Sequence, residues 1–267
     1  MVRFNLNTLL LTGVIGLSLV TLNSCSKTEG CTDPAALNFD ANADEDCCCE
    51  YATTFDLDMH LHPYVGASGL TEGNTYNLFG VQTQLDLVQF YVSNIRLVDA
   101  AGNETAANTF LLVKPETDEY VVGAFPEGDY TSIRFDIGMD SATNHADPTQ
   151  YPTGDPLGPQ FPNMSWGWDM GYIFVRVDGI ADQDLDGTPE TFFEMHVGDE
   201  PLLRTIELDF PLSGEAGGSY TAHINVNWLE FFDGIDLTGE ISTHTTDNMT
   251  LATTLADNLQ GMFSMEE

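Results

Sequence analysis

His60 and His62 stand two residues apart in the run Phe55-Asp56-Leu57-Asp58-Met59-His60-Leu61-His62. Apolar and polar residues alternate through it, the pattern of a half-buried strand, and alternate residues of a strand project from one face. Both imidazoles therefore leave the same face, beside Asp56 and Asp58. Imidazole suits copper and zinc alike, so the pair can share an ion. The plainer alternative is two exposed histidines opposite an apolar face. His196 ends the strand-like run Thr191–Val197, just after Phe192 and Phe193. It reads equally as a metal ligand or as a core histidine satisfied by a backbone carbonyl. His244, in Ser242-Thr243-His244-Thr245-Thr246, is either a ligand or an exposed loop residue. His145 falls in Asn144-His145-Ala146-Asp147, where it can serve a site or simply pair with Asp147 or Asp155. His223 alternates with Asn225 and Asn227 opposite Ala222, Ile224, Val226 and Trp228, so it belongs to a polar face and is not expected to be a ligand.

A second kind of chemistry is offered by Asp182-Gln183-Asp184-Leu185-Asp186-Gly187, which matches the opening of an EF-hand calcium loop. Its twelfth position is Phe193 instead of Glu, and the flanks read as strands, so it is not an EF-hand. What remains is a hairpin loop able to hold calcium through Asp182, Asp184, Asp186 and Glu190, or a bare acidic tip. The chain shows no phosphate-cradling glycine loop, no Gly-x-Ser-x-Gly turn, no His-Glu-x-x-His and no Cys-x-x-Cys. Carboxylate pairs are too common in so acidic a chain to indicate glycosidase chemistry. The expectation is therefore a binding protein and not an enzyme.

The elements that must position these residues read as β. Phe55–Leu61, Leu85–Val98, Thr131–Ile137, Gly171–Asp178, Thr191–Val197, Leu203–Phe210 and Tyr220–Trp228 are apolar, aromatic or alternating, with Gly, Pro, Asn and Asp clusters between them. Such a series predicts an all-β fold, an antiparallel β-sandwich. Residues 142–163, rich in Pro, Asn and Asp, form a long irregular loop of the kind that is usually functional or disordered. Leu251, Leu255, Leu259 and Met262 recur at helical spacing, predicting one short C-terminal helix capped by Asp247 or Asn248.

Ahead of this domain (residues 52–267) lie two other segments. Arg3, the apolar run Leu9–Val20 and Leu22-Asn23-Ser24-Cys25 read as a lipoprotein signal over residues 1–24, too short for a comfortable membrane span. Cys25 is then the lipidated first residue, which holds the chain on a membrane of the cell envelope, facing the periplasm or the exterior. Residues 25–51 form a Cys- and Asp-rich spacer similar to the short Cys-Thr-Asp-Pro repeats of bacterial surface proteins, but with three consecutive cysteines where one is usual. In an oxidising compartment disulfides are the default. A Cys31–Cys49 bridge closing a small loop is favoured, Cys47 and Cys48 stay unassigned, and a thiolate metal site is the alternative. Asp40, Asn42, Asp44 and Asp46 alternate, a spacing that lets oxygen ligands face one cation. The chain has 42 Asp and Glu against 7 Lys and Arg, a formal charge of −35. Such a surface repels nucleic acid and anionic lipid and suits cations.

Several ordered segments resemble one family. Phe90-Tyr91-Val92-Ser93-Asn94-Ile95-Arg96-Leu97 is followed by Gly138-Met139, Asn144-His145-Ala146-Asp147, Met164-Ser165-Trp166-Gly167-Trp168-Asp169-Met170-Gly171-Tyr172-Ile173-Phe174 and Met195-His196-Val197-Gly198. His244 and Ala256-Asp257-Asn258…Phe263 complete the series. In this order they resemble the MbnP-like proteins, secreted copper-binding proteins associated with methanobactin-type copper handling, over roughly residues 53–265. The resemblance implies a β-rich domain that binds one copper ion through histidines. It further implies that a tryptophan can be oxidised to kynurenine by a di-haem, peroxidase-like partner. Carried onto this chain, the tryptophans are Trp168 first and Trp166 second. The implied ligands are His62, His196 and His244, with His60 next, and His145 orients the site. The expected function is thus extracytoplasmic copper acquisition, storage or delivery. The alternative is a calcium-stabilised surface interaction module without a transition metal.

Overall fold

The computed structural model describes residues 27–34, 36–167 and 170–266. The signal segment, Cys25 and Trp168 lie outside the described residues. The chain divides into two compact units with the boundary between Tyr51 and Ala52.

The first unit has little regular structure: β1 (Glu29–Gly30) and β2 (Glu45–Asp46) pair in parallel. Cys31 and Cys49 form a disulfide with Cα atoms 4.8 Å apart, and Cys47 is bridged to Cys48. With Cys31, Cys47, Cys48 and Cys49 in disulfides, the described residues of this unit offer no thiolate ligand. The cation site expected from the alternating acidic residues is not assembled. Asp40 accepts from the Asn42 backbone, Asp44 from Thr28 and Asp46 from the backbone and hydroxyl of Thr32. Each carboxylate is used to close a different turn, so alternation in sequence does not become convergence in space.

The second unit runs β3 (Thr54–Val65), β4 (Ser68–Gly69), β5 (Asn74–Leu78), β6 (Val81–Val98), β7 (Glu104–Ala106), β8 (Leu111–Val113), β9 (Glu119–Pro126) and β10 (Gly128–Ile137). It continues through α1 (Ser141–Asn144), β11 (Ser165–Gly167), β12 (Gly171–Ala181), β13 (Thr191–Gly198), β14 (Arg204–Gly214) and β15 (Ser219–Asn227). It ends with α2 (Trp228–Phe231), β16 (Thr243–His244), α3 (Met249–Met262) and β17 (Phe263–Met265). One sheet has the order β14-β10-β6-β12-β13-β16, with β5, β7 and β8 added along β6 and β11 on β12. The other has the order β17-β15-β3-β4, with β9 also pairing with β3.

The two sheets share one apolar core. Phe55, Leu57, Met59 and Leu61 of β3, Ala222, Ile224 and Val226 of β15, and Phe193, Met195 and Val197 of β13 are all within 1% of full burial. Each large side chain so buried stabilises the fold by about 1.5–3 kcal/mol. Aromatic rings bridge the sheets: Phe55 meets Tyr130, and Phe135 meets Phe263, both edge-on. The helix predicted at the C-terminus is α3, and Asn248 caps it by accepting from the Leu251 amide.

The architecture departs from the sequence expectation in strand direction and at one strand end. Both sheets are mixed: β15 runs parallel to β3, and β16 parallel to β13. Alternation reports which face of a strand is buried, not the direction of its neighbour, and β3 and β15 are far apart in sequence. The predicted final strand also stops one residue early, because Asn227 caps α2 and Trp228 opens that helix.

Much of the Phe90–Leu97 signature is structural. Asn94 adopts φ +50° at a register shift between β6 and β10, and its amide donates to Asp136 (2.7 Å). A short polar side chain is what such a left-handed bulge position accepts. Tyr91 and Tyr172 donate their hydroxyls to the carbonyls of Pro156 and Leu157, 2.8 and 2.6 Å away. They pin the long 142–163 loop onto the sheet, and burial drives both phenol pKa values far upward. That loop is therefore ordered and anchored.

Candidate metal centre

β13 presents Glu194 and His196 on the face opposite Phe193, Met195 and Val197, as period two requires. β16 then lies parallel to β13 in the register His196↔His244. The two imidazoles meet edge-on with centroids 4.9 Å apart. One ligand atom each from Glu194, His196 and His244 lie within 4.8 Å of one another.

His196 is 4% exposed, so its ring nitrogens need partners. Its Nε2 lies 2.7 Å from Asp178 Oδ1. The other oxygen of Asp178 accepts from Arg176 Nε (3.0 Å) and Nη2 (2.7 Å). Burial alone would raise the Asp178 pKa, but hydrogen bonds from His196 and Arg176 outweigh it and hold the carboxylate below its ordinary value. An ionised Asp178 takes the proton on Nε2 and leaves Nδ1 as the free lone pair. This is how a carboxylate fixes the tautomer of a metal-binding imidazole. His244 is set from both sides, with Nδ1 3.1 Å from Asp247 and Nε2 3.5 Å from Glu194. Asp247 behaves as Asp178 does: burial raises its pKa, the backbone amide and ring of His244 lower it, and the lowering prevails.

The turn after His244 is unusual. Thr245 is 1% exposed and adopts φ +68°, a left-handed conformation that strains a β-branched residue. Three bonds hold it there: its amide donates to Thr243 Oγ1, its hydroxyl donates to the His196 carbonyl, and it accepts from the Gly198 amide. Strain of this kind persists where surroundings over-determine it, often at functional sites. The same turn connects the histidine pair to the tryptophan motif. A Cβ at Gly198 would sit 2.7 Å from Trp166 Cζ3, so only glycine admits the ring. Trp166 in turn lines a cleft with His145, Met170, Asp199, Thr245 and Thr246.

His145 stands at that cleft with Nε2 2.9 Å from Glu200. Its neighbour Asn144 does the heavier structural task. Fully buried, Asn144 accepts from the Tyr172 amide at 2.7 Å, and so fixes the start of β12 directly after the tryptophan motif.

The remaining predicted ligands are elsewhere. His60 and His62 lie on β3 in the other sheet, and they converge not on His196 but on His223 of β15. The expected ligand set thus divides into two clusters. His223, not expected to be a ligand, is brought beside His60 and His62. It does lie on a polar face, but parallel pairing puts it in register with His60. The calcium-loop residues Asp182, Asp184, Asp186 and Glu190 are brought within 4.8 Å of one another. Oxygens of Asp182, Asp184 and Glu190 accept the backbone amides of Asp186, Gly187 and Gln183 within the turn.

Sequence reasoning overlooked Glu194, Asp178 and Asn144. The first had a legible signal, since it stands two residues before His196 on one strand. Asp178 had none, because its role depends on the pairing of β12 with β13.

The class these observations define is a two-sheet β domain that presents imidazoles in strand-borne clusters, one of them close to Trp166, with ligand atoms near enough to share an ion. The MbnP family profile matches residues 54–250, and the chain belongs to that family. Among solved structures it is similar to MbnP from Methylosinus trichosporium, with a TM-score of 0.53 and 19% identity over 74% of this chain and 87% of that one. That likeness is one of fold. No curated protein matches the chain.

Proposed function

We propose that this protein binds copper outside the cytoplasm, for acquisition, storage or delivery, as a lipoprotein tethered through Cys25. The observation that carries this reading is the convergence of His196, His244 and Glu194 next to Trp166 in a chain of the MbnP family. Two imidazoles accept both copper oxidation states, and a buried, carboxylate-oriented His196 gives the site a fixed geometry. The acidic surface draws cations toward it. The family resemblance adds oxidation of Trp166 or Trp168 to kynurenine by a di-haem, peroxidase-like partner. Trp166 packs over Gly198, two residues after His196 on the same strand, which supports a tryptophan beside these ligands.

The test is copper content together with tryptic mass spectrometry of the peptide carrying Trp166 and Trp168, on protein purified from its native host. About one copper at this centre, lost in His196→Ala/His244→Ala, is expected. Full copper retention in that variant removes the assignment. The calcium-stabilised reading is favoured instead if calcium raises the melting temperature and copper leaves it unchanged.

A further inference from the structure

We infer that the chain carries a second metal site, made by His60, His62 and His223 with the Glu266 carboxylate, on the outer face of the sheet that does not bear His196. It would take a divalent ion of borderline softness, zinc(II) or copper(II). This goes beyond the copper reading and does not depend on it.

β3 and β15 run in parallel with His60 opposite His223 and His62 opposite Asn225. Met59 and Leu61 point into the core, which sends His60 and His62 to the other face. Three imidazoles therefore occupy adjoining positions on two neighbouring strands. Ring centroids are 4.1 Å apart for His60–His62, 5.1 Å for His60–His223 and 6.0 Å for His62–His223. One nitrogen from each lies within 4.8 Å of the others. Tetrahedral donors around such an ion sit about 3.4 Å apart, a distance that small side-chain rotations supply.

Three details favour a metal over a chance grouping on a polar face. First, His62 Nε2 is buried and makes no hydrogen bond; Glu266 Oε2 is 3.1 Å away but outside hydrogen-bonding geometry. A buried lone pair in that state calls for a partner. Second, Glu119 takes His60 Nδ1, which leaves Nε2 as the ligand atom and supplies the outer carboxylate that metal-binding histidines generally have. Third, Glu266 is fixed in place, because its amide donates to the His223 carbonyl at 3.0 Å. Its carboxylate also lies 3.5 Å from His223 Nδ1, between two of the rings. Three neutral imidazoles and one oxygen are the donor set of a four-coordinate zinc or copper site, while calcium and magnesium prefer all-oxygen shells.

The full chain, stripped of metal, is titrated with cobalt(II) and then zinc(II), with bound metal counted and the cobalt visible spectrum recorded. The His62→Ala/His223→Gln and His196→Ala/His244→Ala variants are compared after circular dichroism confirms folding. The expected result is two ions per wild-type chain. One ion and the tetrahedral cobalt bands are lost in the His62/His223 variant, while that ion remains in the His196/His244 variant. Unchanged stoichiometry and an unchanged cobalt spectrum in His62→Ala/His223→Gln overturn the proposal. Loss of metal only in the His62/His223 variant upholds this site and removes the copper centre at His196, so the two readings fail separately. A single His62→Gln exchange with the wild-type cobalt spectrum also counts against it.

Discussion

The two histidine clusters start from the same sequence device and differ in one respect, that His196 is buried while each histidine of the other cluster is at least part-exposed. In each, strand alternation places two potential ligands at i and i+2, His60 with His62 and Glu194 with His196, and a parallel neighbour supplies a further imidazole. At the Glu194–His196–His244 cluster, His196 itself is enclosed: it is 4% exposed, Asp178, held in turn by Arg176, takes one nitrogen, and the strained Thr245 turn bonds the His196 carbonyl, while His244 and Glu194 stay part-exposed. At His60–His62–His223 the face is open, and Glu119 and Glu266 are about half exposed or more. The difference teaches where rigidity comes from. A strand pair alone brings imidazoles within reach, and a carboxylate beside a ring then sets its tautomer, Asp178 from a buried position and Glu119 from an exposed one.

The sharpest way to break this comparison is to remove one ligand from each side. His244→Ala should weaken copper binding by more than about 100-fold, beyond the range for losing an outer partner. His62→Ala should leave that affinity unchanged; competition with a copper chelator measures both. If His62→Ala has the larger effect, the roles of the two clusters are reversed.

Asp178→Asn should cost about 10–100-fold in affinity at the His196 centre and about 3 kcal/mol of stability, because a buried ion pair loses one partner. Glu119→Gln, at the exposed cluster, should change stability far less. The pH dependence follows the same division. The folded-state pKa of Asp178 is lowered, so its contribution is complete above its unfolded value, about 3.9, and is lost as pH falls through the lower folded value. Denaturant melts across that acid window should show a shallower loss in Asp178→Asn than in the wild type.

Gly198→Ala should destabilise the fold by about 1–3 kcal/mol, since the methyl group meets the Trp166 ring and the Tyr172 carbonyl. Gly69→Ala in the other sheet, where a methyl group meets nothing, should stay within about 0.5 kcal/mol. Chemical denaturation compares the two. The smallest effect is expected from Asp184→Asn at the exposed hairpin tip, also within about 0.5 kcal/mol. Calcium should not shift its melting temperature relative to wild type; a calcium-dependent gain that disappears in this variant would favour the surface-module reading.

β6 and β12, buried on both faces along much of their length, were legible as apolar and aromatic runs, whereas β3, β10, β13 and β15 were legible because one face is buried more than the other and the period of two writes itself into the residues. The α3 helix was legible from Leu251, Leu255, Leu259 and Met262 for the same reason at a different period. Among the strands missed, β9 has its alternation broken at Gly123, where its register against β3 shifts, and β16 is a two-residue pairing that exists only because β13 lies beside it. The site was half legible. Histidine identity and same-face spacing are local, so His60 with His62 could be paired on sight. The partner of each pair could not, because nothing in the sequence near residue 60 encodes residue 223.

The sequence by itself determined which residues can bind metal, which faces of the strands they leave, the family signature around Trp166 and the strongly acidic surface. These are local or additive properties of the chain. Only the tertiary structure decided that the expected ligands divide between two sheets, that His223 joins His60 and His62, and that Asp178 orients His196. Those are consequences of strand direction and register between distant segments, and period-two alternation is the same whichever way a neighbouring strand runs.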